Sequence, residues 1–337
     1  MAEAAYRSLQ FGQESVFATE VNATTVFPCD PGSGEFTLNR ATEVPDEDYG
    51  RAVRNQAGRG SHGVRIATAS LSSPGRFQDI GHIFQMALGT AVTTGSGTYV
   101  HTWTGDITSS THKSYTVEVS EDTQDWIATG VVCTGFEIGF DTLGAGENAM
   151  WTVSADLQGA QYGTTTATAG LSAPGTLETI EGHTTQLYEG PVGTAFASLA
   201  ELSGSLVSYR LRVEDPKPGR VYGGTADVMS GVGRGKRLCT VSAVIKESAT
   251  AVSDAFDIFN VAGAVPTERR WRIKASGATA ANALLTIDHR LLIKDAHIEP
   301  DGRDGERLMA IEAESLYDST LVSDLVIAVT NLVSALP

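Results

Sequence analysis

The chain is 337 residues long, carries 24 Lys and Arg against 40 Asp and Glu, and has a formal net charge of −16. That length predicts two domains, and 41% hydrophobic with 19% charged residues places the chain among globular proteins, not disordered ones. The charge excludes adhesive binding to nucleic acid, which needs clustered Lys and Arg, and Cys29, Cys133 and Cys239 stand at no metal or disulfide spacing. Reduced, buried thiols of a cytosolic product are the expectation.

Reading from the start, "MAEAAYRSLQFGQES" places Glu3 and Arg7 where a secretory signal needs an apolar run, so no export is expected. The segments "EFTLNRA", "GVRIATASL", "TYVHTWTG", "SYTVEVS", "GFEIGFD" and "NAMWTVSADLQG" alternate apolar and polar residues with a period of two, as half-buried antiparallel strands do. The turns between them are explicit in "PGSG", "PDEDYG" and "LGAG". One helix is predicted from Ser72 to Gly89, with Phe77, Ile80, Phe84 and Leu88 on one face and Gly89 as its stop. A shorter one is predicted from Ser253 to Gly263, with Phe256, Phe259 and Val261. At the C-terminal end, Leu321, Leu325, Val329, Leu332 and Leu336 lie near helical spacing, which predicts either an amphipathic segment packed on a neighbour or a core helix. Asp324 and Asn331 interrupt this run, which is too short and polar for a membrane span.

The order of elements repeats. "SGEFTLNRATEVPDEDYGR" corresponds to "LVSYRLRVEDPKPGRVYGG", reaching Tyr49 in one copy and Tyr222 in the other. Gly-Arg-Gly follows at Gly58 to Gly60 and again at Gly233 to Gly235, before a strand and then a helix. "KSYTVEVSEDTQDWIATGVVCTGFEIGFD" corresponds to "RRWRIKASGATAANALLTIDHRLLIKDAHIEP". The closing strands pair Met150 with Met309 and Leu157 with Leu316. The expectation is a mainly β chain of two tandem β-sandwich domains, residues 1–175 and 176–337, each with a flanking short helix and a long inter-strand loop.

Catalytic patterns fail their tests. "SGVGRGK" lacks the first Gly of a P-loop, and Arg237 stands where the magnesium-binding Ser or Thr belongs. "STHK" has no companion motifs of a serine acylase. His62, His82, His101, His112, His183, His289 and His297 form no metal spacing, and "PDEDYG" and "DGRDGE" lack the spaced ligands of a calcium loop. The prediction is a protein with no enzymatic activity, no cofactor and no metal.

With "GQESVFAT" at the start, "KSYTVEVSEDTQDWIATGVVCTGFEIGFD" in the middle and "NAMWTVSADLQG" closing the first copy, the chain resembles the major tail tube proteins of long-tailed, siphophage-type bacteriophages. The resemblance covers the first half well and the second more loosely. It implies a tail-tube-like β-sandwich whose sheets join side by side into a ring, with rings stacking into a tube that conducts the genome. Two copies in one chain imply a trimeric, pseudo-hexameric ring. The implied partners are further copies of the chain together with the tape measure, tail terminator and distal tail proteins. DNA would pass without adhering, no membrane would be entered, and the protein would reside in the virion tail after synthesis in the host bacterial cytoplasm. The loops Ala41 to His62 and Glu214 to Lys236 resemble the stacking arms of that family. Arg51, Arg54 and Arg59 in the first, and Arg220, Arg234, Lys236 and Arg237 at the second, are expected to meet acidic surfaces of the next ring.

Two other classes fit a duplicated acidic sandwich: a capsid decoration or distal tail ring protein, and a carbohydrate-binding module. The module would need exposed aromatic platforms, whereas Trp103, Trp126, Trp151 and Trp271 sit in strand patterns that predict core packing.

Overall fold

A computed structural model of the chain describes residues 8–30, 33–43, 61–105, 113–120, 124–142, 149–171, 177–202, 206–215, 217, 219–220, 229, 231–233, 235–246, 268–278, 282–299 and 308–334. The first half carries β1 (Ser8–Gln13), β2 (Thr25–Phe27), β3 (Thr37–Glu43), β4 (Ser61–Pro74), α1 (Ile80–Leu88), β5 (Val92–Ser96), β6 (Thr98–Thr104), β7 (Tyr115–Ser120), β8 (Asp125–Asp141), β9 (Thr152–Gly159) and β10 (Gln161–Thr165). The second carries β11 (Thr185–Pro191), β12 (Ala200–Glu201), β13 (Leu206–Glu214), β14 (Gly219–Arg220), β15 (Gly231–Val232), β16 (Leu238–Lys246), β17 (Glu268–Ser276), β18 (Leu284–Glu299), β19 (Leu308–Leu316) and β20 (Val326–Asn331). The protein is mainly β, and its named ladders are antiparallel.

β8 organises the first half because it is long enough to serve two layers. Its first residues pair with β7 on one edge and β10 on the other, in the order β2, β1, β7, β8, β10. Beyond Val131 the same strand enters a second layer, where it pairs with β9, which pairs with β4, which pairs with β3. Gly130 marks the change of layer with φ +65°, a left-handed conformation that a side chain resists. A Cβ there would also lie 2.8 Å from the Cβ of Ala160, at the break between β9 and β10.

The second half makes the same pairings in the same order. β18 pairs with β17 on one edge and with β20 and then β19 along the other, β19 pairs with β16, and β16 with β13. β11 pairs with β17 and β12, as β1 pairs with β7 and β2. Even the irregularities coincide. β8 bulges against β9 between Cys133 and Gly135, and β18 bulges against β19 between Ile293 and Asp295. An inserted residue at the same ladder position locally bends each strand and increases its twist. This register makes Leu157 the counterpart of Ala313. The sequence match of Leu157 with Leu316 was therefore three residues out of step, because Met150 and Met309 are similar letters outside the paired frame.

The halves are joined edge to edge. Residues Gly135 to Asp141 of β8 pair with Glu214 to Ser208 of β13, making one sheet in the order β3, β4, β9, β8, β13, β16, β19, β18. The core is equally continuous. Phe140, Trp151, Tyr209 and His289 form a chain of ring contacts with centroids 5.2, 5.8 and 6.1 Å apart, and the Tyr209 hydroxyl lies 3.2 Å from His289 Nε2. Trp103, Trp151 and Trp271 are buried and Trp126 packs against the core, so none of the four offers an exposed platform. Burying each such aromatic side chain is worth about 2–3 kcal/mol.

Two predicted elements differ, and a third lies outside the described residues. The helix begins at Ile80, not Ser72, because Ser72, Ser73 and Pro74 continue the β4 ladder with Ser154, Val153 and Thr152. All nine of its residues are buried, since it lies between β8 and β6 and has no solvent face. The C-terminal run is strand β20, with Leu325, Ile327 and Val329 buried in alternation; it fills the edge of β18 beyond β19. The helix predicted from Ser253 to Gly263 lies outside the described residues. Among the described residues, no helix is long and apolar enough to cross a membrane.

Candidate assembly surface

The basic residues expected on the two arms have unlike fates. Arg51, Arg54, Arg59 and Arg234 lie outside the described residues. Arg220 belongs by its backbone to the short β14–β15 ladder, and Lys236 is exposed beside β16. Arg237 is turned inward: its side chain is 4% exposed and forms a two-pronged pair with Asp324, with Nε donating to Oδ2 at 2.9 Å. It also donates to the carbonyl of Gly105 at 3.2 Å, so its charge is answered within the chain and is not part of a basic arm. The physical reason is Asp324, which the sequence displays only as an interruption in an apolar run 87 residues away.

The root of the second loop is anchored as well. Lys217, in the "DPKPG" turn, is fully buried and donates from Nζ to the Ala87 carbonyl in the last turn of α1 at 3.2 Å and to the Cys133 carbonyl. An ammonium at a helix C-terminus meets the negative end of its dipole. Asp215 Oδ2 stands 3.4 Å from the same Nζ. The sequence places this turn in the second of the loops that resemble stacking arms, and its flanking prolines carry no sign of a lysine aimed into the other half.

Glu14, of the "GQES" opening, is buried and accepts four hydrogen bonds: from the amides of Ala18 and Gly130, each at 2.8 Å, and from Ser114 and Thr116 hydroxyls at 2.6 and 3.0 Å. It ties the end of β1 to β7 and to the glycine where β8 changes layer. Its role here is structural, because its carboxylate faces donors on all sides.

The outward face of the eight-strand sheet is polar. It presents Thr, Ser and carboxylates: Thr68, Ser70, Ser154, Asp156, Glu137, Glu214, Glu312 and Glu314. Its cations are paired on the same face, Arg210 with Glu137 at 3.3 Å, Arg212 with Glu214 at 2.9 Å, and Lys294 with Glu314. Two shallow grooves of about 490 and 320 Å³ cross it, both bordered by Thr134 and Asp156.

Cys133, Cys239, His82, His289 and Asp79 are buried. Burial pushes the Cys133 thiol up to about 11, and burial with the neighbouring Asp324 carboxylate pushes Cys239 well above its ordinary value. Neither is poised as a thiolate. All three cysteines are free. Burial lowers His82 to about 4 and His289 to about 3, while it raises Asp79, paired with Arg76 at 3.1 Å, to about 6. Among the described residues, no three His, Cys, Asp or Glu side chains converge as a metal site would require. Comparison with protein-family models and with curated proteins returns no match.

Proposed function

We propose that this protein is the structural subunit of a long-tailed bacteriophage tail tube, built as two tandem tail-tube-like domains and closing as trimeric, pseudo-hexameric rings that stack around the path of the genome. The observation that carries this reading is the eight-strand sheet, in which one four-strand order is written twice and joined edge to edge. Among the described residues, β3 and the stretch of β18 beyond Ile293 each leave one edge of this sheet open, and ring closure removes both. Three chains at about 4.8 Å between strands and a tilt of about 40° give a backbone diameter of roughly 45–50 Å. A channel of that size passes duplex DNA.

The chemistry of the outward face supports the same reading. With the opposite face occupied by the core and α1, the polar face is the one available to line a channel. Among the described residues, Arg210, Arg212 and Lys294 on this face are each paired with an adjacent carboxylate, which leaves these cations less available to phosphate, and the net charge of −16 adds repulsion. DNA would slide past without contacts to break. The tape measure, tail terminator and distal tail proteins would meet the ends of such a tube, and Arg51, Arg54, Arg59, Arg220, Arg234 and Lys236 remain the proposed basic contacts between rings.

Negative-stain electron microscopy of the concentrated protein, with averaging of end-on views, tests the reading. Hollow rods of uniform width with three- or six-lobed rings are expected. Isolated rings that never stack would move the assignment to a decoration or distal tail ring, and monomers that persist under crowding would remove it.

A further inference from the structure

The joint inside the chain supplies a template for a joint between chains. Residues Gly135 to Asp141 of β8 are paired on both edges, with β9 and with β13. The corresponding stretch of β18, beyond Ile293, pairs with β19 alone among the described residues. Likewise β13 lies between β8 and β16, whereas β3, its counterpart, pairs with β4 alone among the described residues. The sheet therefore opens with a strand that inside the chain has a partner of the β8 type, and closes with a strand that inside the chain has a partner of the β13 type.

The shared bulge fixes which residues correspond. Gly135 matches Asp295, and following the ladders from β19 through β16 and from β9 through β4 matches Val213 with Leu38. Val213 is fully buried under the edge of β8, while Leu38 is 44% exposed. An apolar side chain left in water on an open strand edge is what a missing neighbour predicts.

We propose that β18 of one copy pairs antiparallel with β3 of a second copy, with Asp295 opposite Asn39, Ala296 opposite Leu38 and His297 opposite Thr37. This repeats the internal pairs of Gly135 with Glu214, Phe136 with Val213 and Glu137 with Arg212. The proposal rests on the ring-forming part of the reading above. The interface is head-to-tail, since the two edges differ, and strand directions alternate without interruption across it. Leu38 passes from water to the side of the sheet that holds the core.

Disulfide cross-linking tests the register. In a Cys29→Ser background, Leu38→Cys and Ala296→Cys are made singly and together, assembled and oxidised, and separated on non-reducing gels. Directly opposed residues lie within disulfide reach, whereas a pair two residues out of register does not. The double variant is expected to give a covalent ladder, a mixture of the two single variants a dimer, and either single variant alone no product. Leu38→Cys with Lys294→Cys is expected to cross-link at least ten-fold less. Rods in the microscope without the ladder would overturn this register and leave the ring reading standing; self-cross-linking of Leu38→Cys alone would overturn the head-to-tail arrangement. Absence of any assembly by the parent protein, with no cross-link, would overturn both. As a second variant, Leu38→Asp is expected to keep the monomer's circular dichroism and thermal midpoint while losing rods, and wild-type yields of rods from it would count equally against the proposal.

Discussion

β8 and β18 are the same device set in different surroundings. Each is a long strand that changes partners along its length, carries a bulge against the next strand, and holds two further strands along one edge. They differ at the far edge beyond the bulge, where Gly135–Asp141 of β8 hold β13 and the stretch of β18 beyond Ile293 pairs with β19 alone among the described residues. They differ also where the partner strand changes, which in β8 uses Gly130 with positive φ and in β18 puts Arg290 at the matching position, three residues before Ile293. The two halves thus share an order of strand pairings and are joined through the ladder of β8 with β13. In the proposed ring, the matching edges of β18 and β3 would be joined between chains in the same way.

The comparison can be broken most severely at the buried polar anchors, which are unlike in the two halves. Arg270 in the second half donates to both oxygens of Asp318 at 2.8 Å, to Thr194 O at 2.7 Å and to Thr320 Oγ1 at 2.9 Å, beneath the ring of Phe196. Asp318→Ala strands this guanidinium and is expected to cost about 3–5 kcal/mol in urea unfolding. Because the core runs through both halves, the unfolding curve should stay a single transition. Two separated transitions would mean that the halves unfold independently.

Acid strikes both halves at once. His82 in the first and His289 in the second have folded pKa values depressed by burial, so the unfolded chain takes up protons first and stability falls as pH drops below about 6.5. Asp79 works in the opposite direction: its folded pKa is raised, so it adds stability at low pH that is lost as pH rises through about 6. The two histidines outweigh it, and the net loss between pH 7 and pH 4 is expected to be about 4 kcal/mol. Denaturant midpoints across that range check it, and His82→Gln or His289→Gln should each flatten the slope.

Smaller changes sharpen the contrast. Glu14→Gln replaces a carboxylate acceptor of four bonds with an amide that must point its own donors at them, and is expected to cost about 2–3 kcal/mol. Gly130→Ala, strained by φ and crowded by Ala160, should cost about 1–2 kcal/mol, whereas Arg290→Ala in the second half should cost about 1 kcal/mol through its partly buried pair with Glu268. Arg212→Ala on the polar face should change stability by under about 1 kcal/mol, since both partners are half in water. Thermal or urea midpoints of purified variants distinguish these sizes.

Much of this architecture was legible in the sequence. Period-two alternation located β3, β4, β6, β7, β9 and the end of β8, because half-buried strands force apolar residues to every second position. The C-terminal run misled for the complementary reason. Leu325 and Val329 are four apart, a spacing shared by a helix face and by every second pair in a strand, and only the vacant edge of β18 selects the strand. Ser72 and Ser73 read as a helix start because nothing local reveals that β9 lies alongside to extend β4. Arg237 read as part of a basic arm, and the turn that holds Lys217 as part of a long loop, because Asp324 and the end of α1, which hold them, are distant in the chain.

The sequence by itself determined a β-rich, acidic chain and the order of elements written twice, since composition and periodicity are local properties that each segment carries alone. The tertiary structure decided which edges are filled and which side chains face outward. It also decided where charges are spent, because hydrogen bonds between strands, and ion pairs such as Arg237 with Asp324, depend on residues brought together from far along the chain.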